Sequence, residues 1–257
     1  MNDFGRLLSG DPADLRHGVE ALERIPVDRD QTGDAFAAAP RNETTLRDPI
    51  QLQGKGTFLG KELRTIRLEP APAGTGWWMD RGDLPDCLPT LVSVRNVWTT
   101  GQVVSNIVLR SGPPQNYIRM VEHIIALKPG LHLDNVRVCL DSGDPPLFDR
   151  GSLDLVEKVE AVGILEQETP ARWLTVSEPC CVCGPRGAFL ALAPPTDGLP
   201  RLTIDAAVDF PNAIGRQRVR FHLDRPSFRT ASVARTNTTA AKKFYCQTLG
   251  RVFADVR

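Results

Sequence analysis

No apolar run in this sequence approaches the roughly 20 residues that a helix needs to cross a bilayer. The opening stretch "MNDFGRLLSGDP" lacks the zoned layout of a secretory leader, so a cytoplasmic location is expected. An excess of either charge is missing too: Lys+Arg and Asp+Glu both total 31, for a formal net charge of zero. That balance argues against a general nucleic-acid binder or an anionic-membrane binder, though it is compatible with a local basic patch. Histidine is scarce, with only His17, His123, His132 and His222. The six cysteines do not compensate for this. Cys180 and Cys183 make one Cys-x-x-Cys within "PCCVCG", but a zinc site built on such pairs needs a second, and none exists. Cysteine is also small and readily buried, so a plain strand is one reading of Cys180, Cys181 and Cys183, and a metal or redox role is the other.

What is present suffices for one large domain or two small ones, with an ordinary balance of 41% hydrophobic and 24% charged residues. Residues 1–48 read as an N-terminal helix and linker extension. In "DPADLRHGVEALERIP", Asp11 suits the N-cap and Pro12 the first helical position. Leu15, Val19, Leu22 and Ile25 recur at helical spacing until Pro26, giving one apolar face that must be buried somewhere.

Residues 49–166 mix strands and helices. "IQLQGKGTFLGKELRTIRLEPAP" reads as strand, Gly-rich turn and strand, with Ile66 and Leu68 alternating against Arg67 and Glu69. "GTGWWMDRGDLPDCLP" reads as loop. A helix is expected from about Asn116 to Leu127, stopped by Pro129-Gly130. "LDNVRVCL" is a strand with Val136, Val138 and Leu140 on one side. "FDRGSLDLVEKVEAVGI" is a helix capped by Ser152 or Asp149, with Leu155, Val156, Val159 and Val162 on one face.

Residues 167–257 repeat this grammar in part. "WLTVSEPCCVC", "GAFLALAPP", "LTIDAAVDF" and "RVRFHLDRP" read as strands, the last placing Val219, Phe221 and Leu223 inward and His222 on the polar face. One helix, begun at "SFRTASVAR", is thin cover for so many strands.

Within "RMVEHIIAL", Glu122 and His123 stand side by side in an apolar helix. A carboxylate beside an imidazole in such a setting suggests a general base next to a metal ligand. The bland reading is an acid and a histidine that satisfy each other or nearby polar groups.

Several motifs fall in one order along the chain: "GKGTFLGK", "RLEPAPAGTG", "MVEHIIALKPGLHLDNVRV", "PPLFDRGSLDLVEKVEAVGI", "LTIDAAVDFPNAIGRQRVRF" and "FRTASVARTNT". In order and spacing, residues 50–240 resemble the UDP-3-O-acyl-N-acetylglucosamine deacetylase (LpxC) family, the zinc amidases of lipid A synthesis. The resemblance implies an α+β fold of two similar sheet-plus-helices domains packed face to face, with helices between the sheets. It places domain I at 49–166 and a shortened, incomplete domain II at 167–257.

By the same resemblance Glu122 matches the general base, His123 the first zinc ligand, and Thr236 a threonine that contacts the oxyanion. The departures are as informative. The family's other two zinc ligands come from a His-Lys-x-x-Asp motif, and these 257 residues contain none. Phe58 replaces the turn histidine, Asn237 a phenylalanine and Met120 a threonine, and Arg150 is inserted in the Asp-Gly-Ser motif. A single imidazole does not hold catalytic zinc at useful affinity. Three readings follow. One is a family member without autonomous deacetylase activity, acting as a binding or scaffold protein, with a UDP-sugar as possible ligand. Another is an enzyme completed by a second chain or a homo-oligomer that covers the shortened domain. The third is a hydrolase with a rearranged site. None involves nucleic acid or a transmembrane segment.

Overall fold

The computed structural model describes residues 4–33, 41–56, 62–99, 107–196, 198–210 and 215–234. The fold is mixed α+β, with many strands and few helices. The α-helices among the described residues are α1 (Pro12–Glu23), α2 (Glu122–Ile125), α3 (Leu127–Leu131), α4 (Leu153–Val162) and α5 (Arg225–Ala231). None is long and apolar enough to cross a membrane.

The chain divides into two compact units, and the division differs from the sequence boundaries at 48 and 166. One unit holds the described residues of Met1–Arg41 and Arg172–Leu223, the other those of Asn42–Ala171 and Asp224–Arg257. The N-terminal segment is therefore not a free-standing extension. Asn42–Leu46, read from the sequence as linker, is a strand paired antiparallel with Ile164–Pro170.

The larger unit is built on a six-stranded sheet. Ile50–Gly56 and Leu63–Pro70 form its hairpin, and Val136–Leu140 lies between Leu63–Pro70 (antiparallel) and Trp77–Arg81 (parallel). Alternation decides which side faces inward: Ile66, Leu68, Val136, Val138 and Leu140 are buried, as their period predicts. Trp77–Arg81, read from the sequence as loop, is an inner strand. Trp77 and Met79 are fully buried, and the Trp77 indole N–H donates to the Leu133 carbonyl at 2.7 Å. Two bulky apolar residues within a Gly-rich setting hid a strand that tertiary pairing imposes.

A buried polar residue locks this core. The Asn135 side chain donates to Glu43 Oε2 at 2.9 Å and Gln167 Oε1 at 2.8 Å, and accepts from the Gly76 N–H at 2.7 Å. All of its amide groups that matter most when buried have partners, so it fixes the connection 71–76 against the Asn42–Leu46 and Ile164–Pro170 strands. α4 follows its sequence reading, burying Leu155, Val156 and Val159. α5 has a capping box on Asp224 and Ser227. Its Phe228 ring lies over Gly130, where an added Cβ would sit 2.2 Å from the ring.

In the other unit the N-terminal segment supplies strands to two sheets. Arg6–Ser9 pairs parallel with Cys180–Cys183, which pairs antiparallel with Phe189–Leu192. Arg29–Gln31 pairs parallel with Gly215–His222, which forms a long antiparallel ladder with Thr203–Phe210. α1 lies between these two added strands in sequence. Its Asp11 side chain accepts from the Ala13 N–H at 2.6 Å, and Leu15 and Gly18 are buried. Gly18 meets Gly187 so closely that a Cβ would be 2.1 Å from the Gly187 carbonyl oxygen.

The ladder register sorts its residues by chemistry. Ile204 faces Phe221 and Ala206 faces Val219 on one side; Asp205 faces Arg220 and Asp209 faces Arg216 on the other. Arg218 clasps Asp205 through two bonds, Nε at 2.9 Å and Nη2 at 2.8 Å, and its Nη1 reaches the Leu22 and Ile25 carbonyls at the end of α1. The Arg218 hydrogen bond holds the Asp205 carboxyl below the ordinary carboxylate range, against the opposing effect of burial.

Candidate functional site

The sequence reading placed Glu122 and His123 mid-helix. The structure places them at the start of a helix. Tyr117–Arg119 is a strand, antiparallel to Ile107–Arg110, with Arg119 opposite Val108. Met120 then takes the left-handed conformation at φ 52, which turns the chain sharply into α2. A methionine there carries backbone strain of about 1 kcal/mol or more. The helix also runs past Pro129-Gly130. Proline lacks an N–H and its ring crowds the carbonyl four residues back, that of Ile125, but it is tolerated in a first turn; the helix breaks at Ala126 and resumes as α3 to Leu131. His132 ends it in the left-handed conformation at φ 56.

Residue Ile107 clamps the pair from the neighbouring strand. Its carbonyl accepts from the Val121 N–H at 3.3 Å, and its N–H donates to Glu122 Oε2 at 3.2 Å. The carboxylate is thus aimed by a backbone donor. Behind the pair, the Ser152 hydroxyl donates to the His123 carbonyl at 3.1 Å, joining the start of α4 to α2. Glu122 and His123 themselves are half-buried, over an inner layer of Val121, Ile124 and Leu127. In the strand that leads to them, the Tyr117 ring meets two guanidinium groups, Arg81 at 5.6 Å and Arg119 at 5.0 Å, and Arg119 also donates to the Tyr117 hydroxyl at 2.6 Å. The sequence pattern marked Ser152 only as a helix cap and did not mark Ile107 or this cation–aromatic cluster, because these ties are made between separate segments.

Arg150, the residue inserted before Gly151-Ser152, leaves the start of α4 intact. It turns outward to Asp154 at 2.5 Å and Glu157 at 2.6 Å. Arg150, through this hydrogen bond, holds the Glu157 carboxyl below its ordinary range, with Arg229 contributing. Thr236, Phe58 and Asn237 lie outside the described residues.

A catalytic zinc takes about three protein ligands and keeps one position open. Among the described residues no group of three His, Cys, Asp or Glu side chains comes together. The other histidines have surroundings of their own. His17 is exposed on α1, and His132 caps α3. His222, expected to be solvated on a polar strand face, is tied at both ring nitrogens: Nδ1 to the Thr203 hydroxyl at 2.9 Å and Nε2 to the Thr32 carbonyl at 3.1 Å. A carbonyl only accepts, so Nε2 carries the proton. Cys180 and Cys183 are three apart on one strand, which turns them to opposite faces and rules out a shared Cys-x-x-Cys site there. Cys181 is buried, and burial pushes its thiol up. The described residues therefore bring no set of three candidate ligands together and do not fit a catalytic zinc on their own.

The sequence model of the family described as LpxC, UDP-3-O-acyl N-acetylglycosamine deacetylase, matches residues 43–251. The chain belongs to the LpxC family. Among similar proteins, the UDP-3-O-acyl-N-acetylglucosamine deacetylase of Bdellovibrio bacteriovorus is 33% identical over 196 residues, 76% of this chain and 61% of that protein. The bifunctional enzyme LpxC/FabZ of Chlorobaculum tepidum is 34% identical over 202 residues, 76% of this chain and 40% of that protein. The deacetylase of Brucella ovis is 29% identical over 195 residues, 76% of this chain and 65% of that protein. The chain thus spans less than two thirds of the length of these LpxC relatives. Glu122 and His123 fall inside the family match, as does Thr236, whereas α1 and its flanking strands precede it.

Proposed function

We infer that these 257 residues form an LpxC-family unit that binds a UDP-sugar but does not deacetylate it alone. The observation that carries this reading is the state of the Glu122–His123 pair. Its carboxylate is aimed by the Ile107 N–H, yet among the described residues no group of three His, Cys, Asp or Glu side chains comes together, and these 257 residues contain no His-Lys-x-x-Asp motif. In this family zinc, when bound, polarises the amide carbonyl and activates water. One imidazole is too few for that, while the carboxylate still suits holding a polar substituent or water. The protein then acts as a binding or scaffold component.

Calorimetry with UDP-N-acetylglucosamine tests this. Binding that weakens at least tenfold in Glu122→Ala is the expected result; heats indistinguishable from dilution would reject the UDP-sugar as ligand. Metal analysis of the same preparation is expected to give zinc well below one equivalent.

The second reading is an enzyme whose remaining ligands come from polypeptide outside these residues, either a second chain or a second copy. The retained clamp on Glu122 favours it, because an unused base has no need of aim. Stoichiometric zinc that is lost in His123→Ala would select this reading over the first.

A further inference from the structure

Ser152 stands at the N-cap position of α4. A serine there ordinarily accepts from an amide two or three residues on, and losing that bond weakens the helix. In this protein no side-chain cap hydrogen bond forms at Ser152. Its buried hydroxyl instead donates to the His123 carbonyl at 3.1 Å. That carbonyl belongs to α2, a single turn of four residues, and the last carbonyls of a helix need donors from outside it.

Ser152 is itself firmly placed. Its N–H donates to the Ser232 carbonyl at 3.0 Å. Gly151 adopts φ 67 directly before it, with the Ser232 oxygen 2.8 Å from where a Cβ would lie. One helical turn has almost no stability of its own. The direction of α2 therefore comes from its ties: the left-handed Met120 and Ile107 at one side, Ser152 at the other.

We propose that Ser152 is a positioning residue that gives up its cap to set the His123 backbone, and through it the direction of the imidazole beside Glu122. This deepens the reading of Glu122–His123 as the functional pair and rests on it for its significance. The hydrogen bond is testable without ligand or metal, so its failure is distinguishable from a failure of UDP-sugar binding.

The test uses the full chain with 13C-labelled histidine. Four histidines give four Cε1–H signals, assigned by single His→Asn variants. Ser152→Ala is expected to move or broaden the His123 signal by more than its linewidth while those of His17 and His222 stay in place, and Ser152→Thr, which keeps the hydroxyl, is expected to restore it. Should Ser152→Ala not fold, Ser152→Cys decides, with a weaker donor and an intermediate displacement expected. A lower melting temperature with an unmoved His123 signal, in whichever variant folds, would mean that Ser152 is structural only and would overturn the proposal.

Discussion

In the unit of residues 42–171, Ile66, Leu68, Val136 and Val138 are cut off from water, whereas in the unit of residues 172–223 the strand residues Leu190, Leu192 and Val208 stay exposed. The smaller unit buries few apolar side chains among its described residues, namely Leu15, Ile25, Cys181 and Leu223. It relies instead on a long β-ladder, Arg–Asp pairs across it, and the backbone approach of Gly18 to Gly187. Two sheets of similar sequence grammar therefore hold together by different forces. Apolar burial contributes roughly 25 cal/mol per Å², while surface ion pairs contribute little each.

The largest expected effect lies in the larger unit. Leu68→Ala removes a fully buried side chain from the six-stranded sheet and is expected to destabilise that unit by about 2–5 kcal/mol. Hydrogen exchange would check that the amides of Ile204–Phe221 keep their protection; joint loss would break the comparison.

Next comes Gly18→Ala. Its Cβ would meet the backbone of Gly187, which cannot rotate away, so a loss of about 1–3 kcal/mol is expected despite alanine's better helix propensity. Urea unfolding followed by a probe in residues 172–223 measures it.

Arg218→Ala is smaller, about 1–2 kcal/mol, because it removes a bidentate pair and two carbonyl bonds at a partly exposed site. Its pH dependence gives a sharper test. The Asp205 carboxyl is held low by Arg218, so its contribution is full above the unfolded carboxylate pKa of about 3.9 and is lost as pH falls through the lower folded value. The variant should lose less stability than the parent between neutral pH and that acid range. Asp209→Asn, at the exposed end of the same ladder, is expected to change the unfolding midpoint by less than the error of measurement.

Much of the fold was legible where one segment's period sufficed. The alternation of Ile66 and Leu68 and of Val136, Val138 and Leu140, the apolar stripe of α4 and the Asp11-Pro12 start of α1 all appear as read. What escaped was set by partners far along the chain. Tyr117–Arg119 has helical-looking apolar spacing, but pairing with Ile107–Arg110 makes it a strand, and only the left-handed Met120 lets α2 begin so abruptly. The strands flanking α1 were invisible because their partners lie more than 150 residues away. At the site, the resemblance pointed to Glu122 and His123 as a pair, and the structure sets both at the start of α2. The Ile107 and Ser152 bonds to them were not legible, since a backbone donor (the Ile107 N–H) and a backbone acceptor (the His123 carbonyl) leave no mark on residue identity.

Among the described residues Glu122 and His123 stand together without the further side chains that a catalytic zinc needs. Acetate release from UDP-3-O-acyl-N-acetylglucosamine by the purified 257-residue chain with added zinc tests it most directly. The account predicts no release above the protein-free control. Zinc-dependent release that disappears in Glu122→Gln would contradict it.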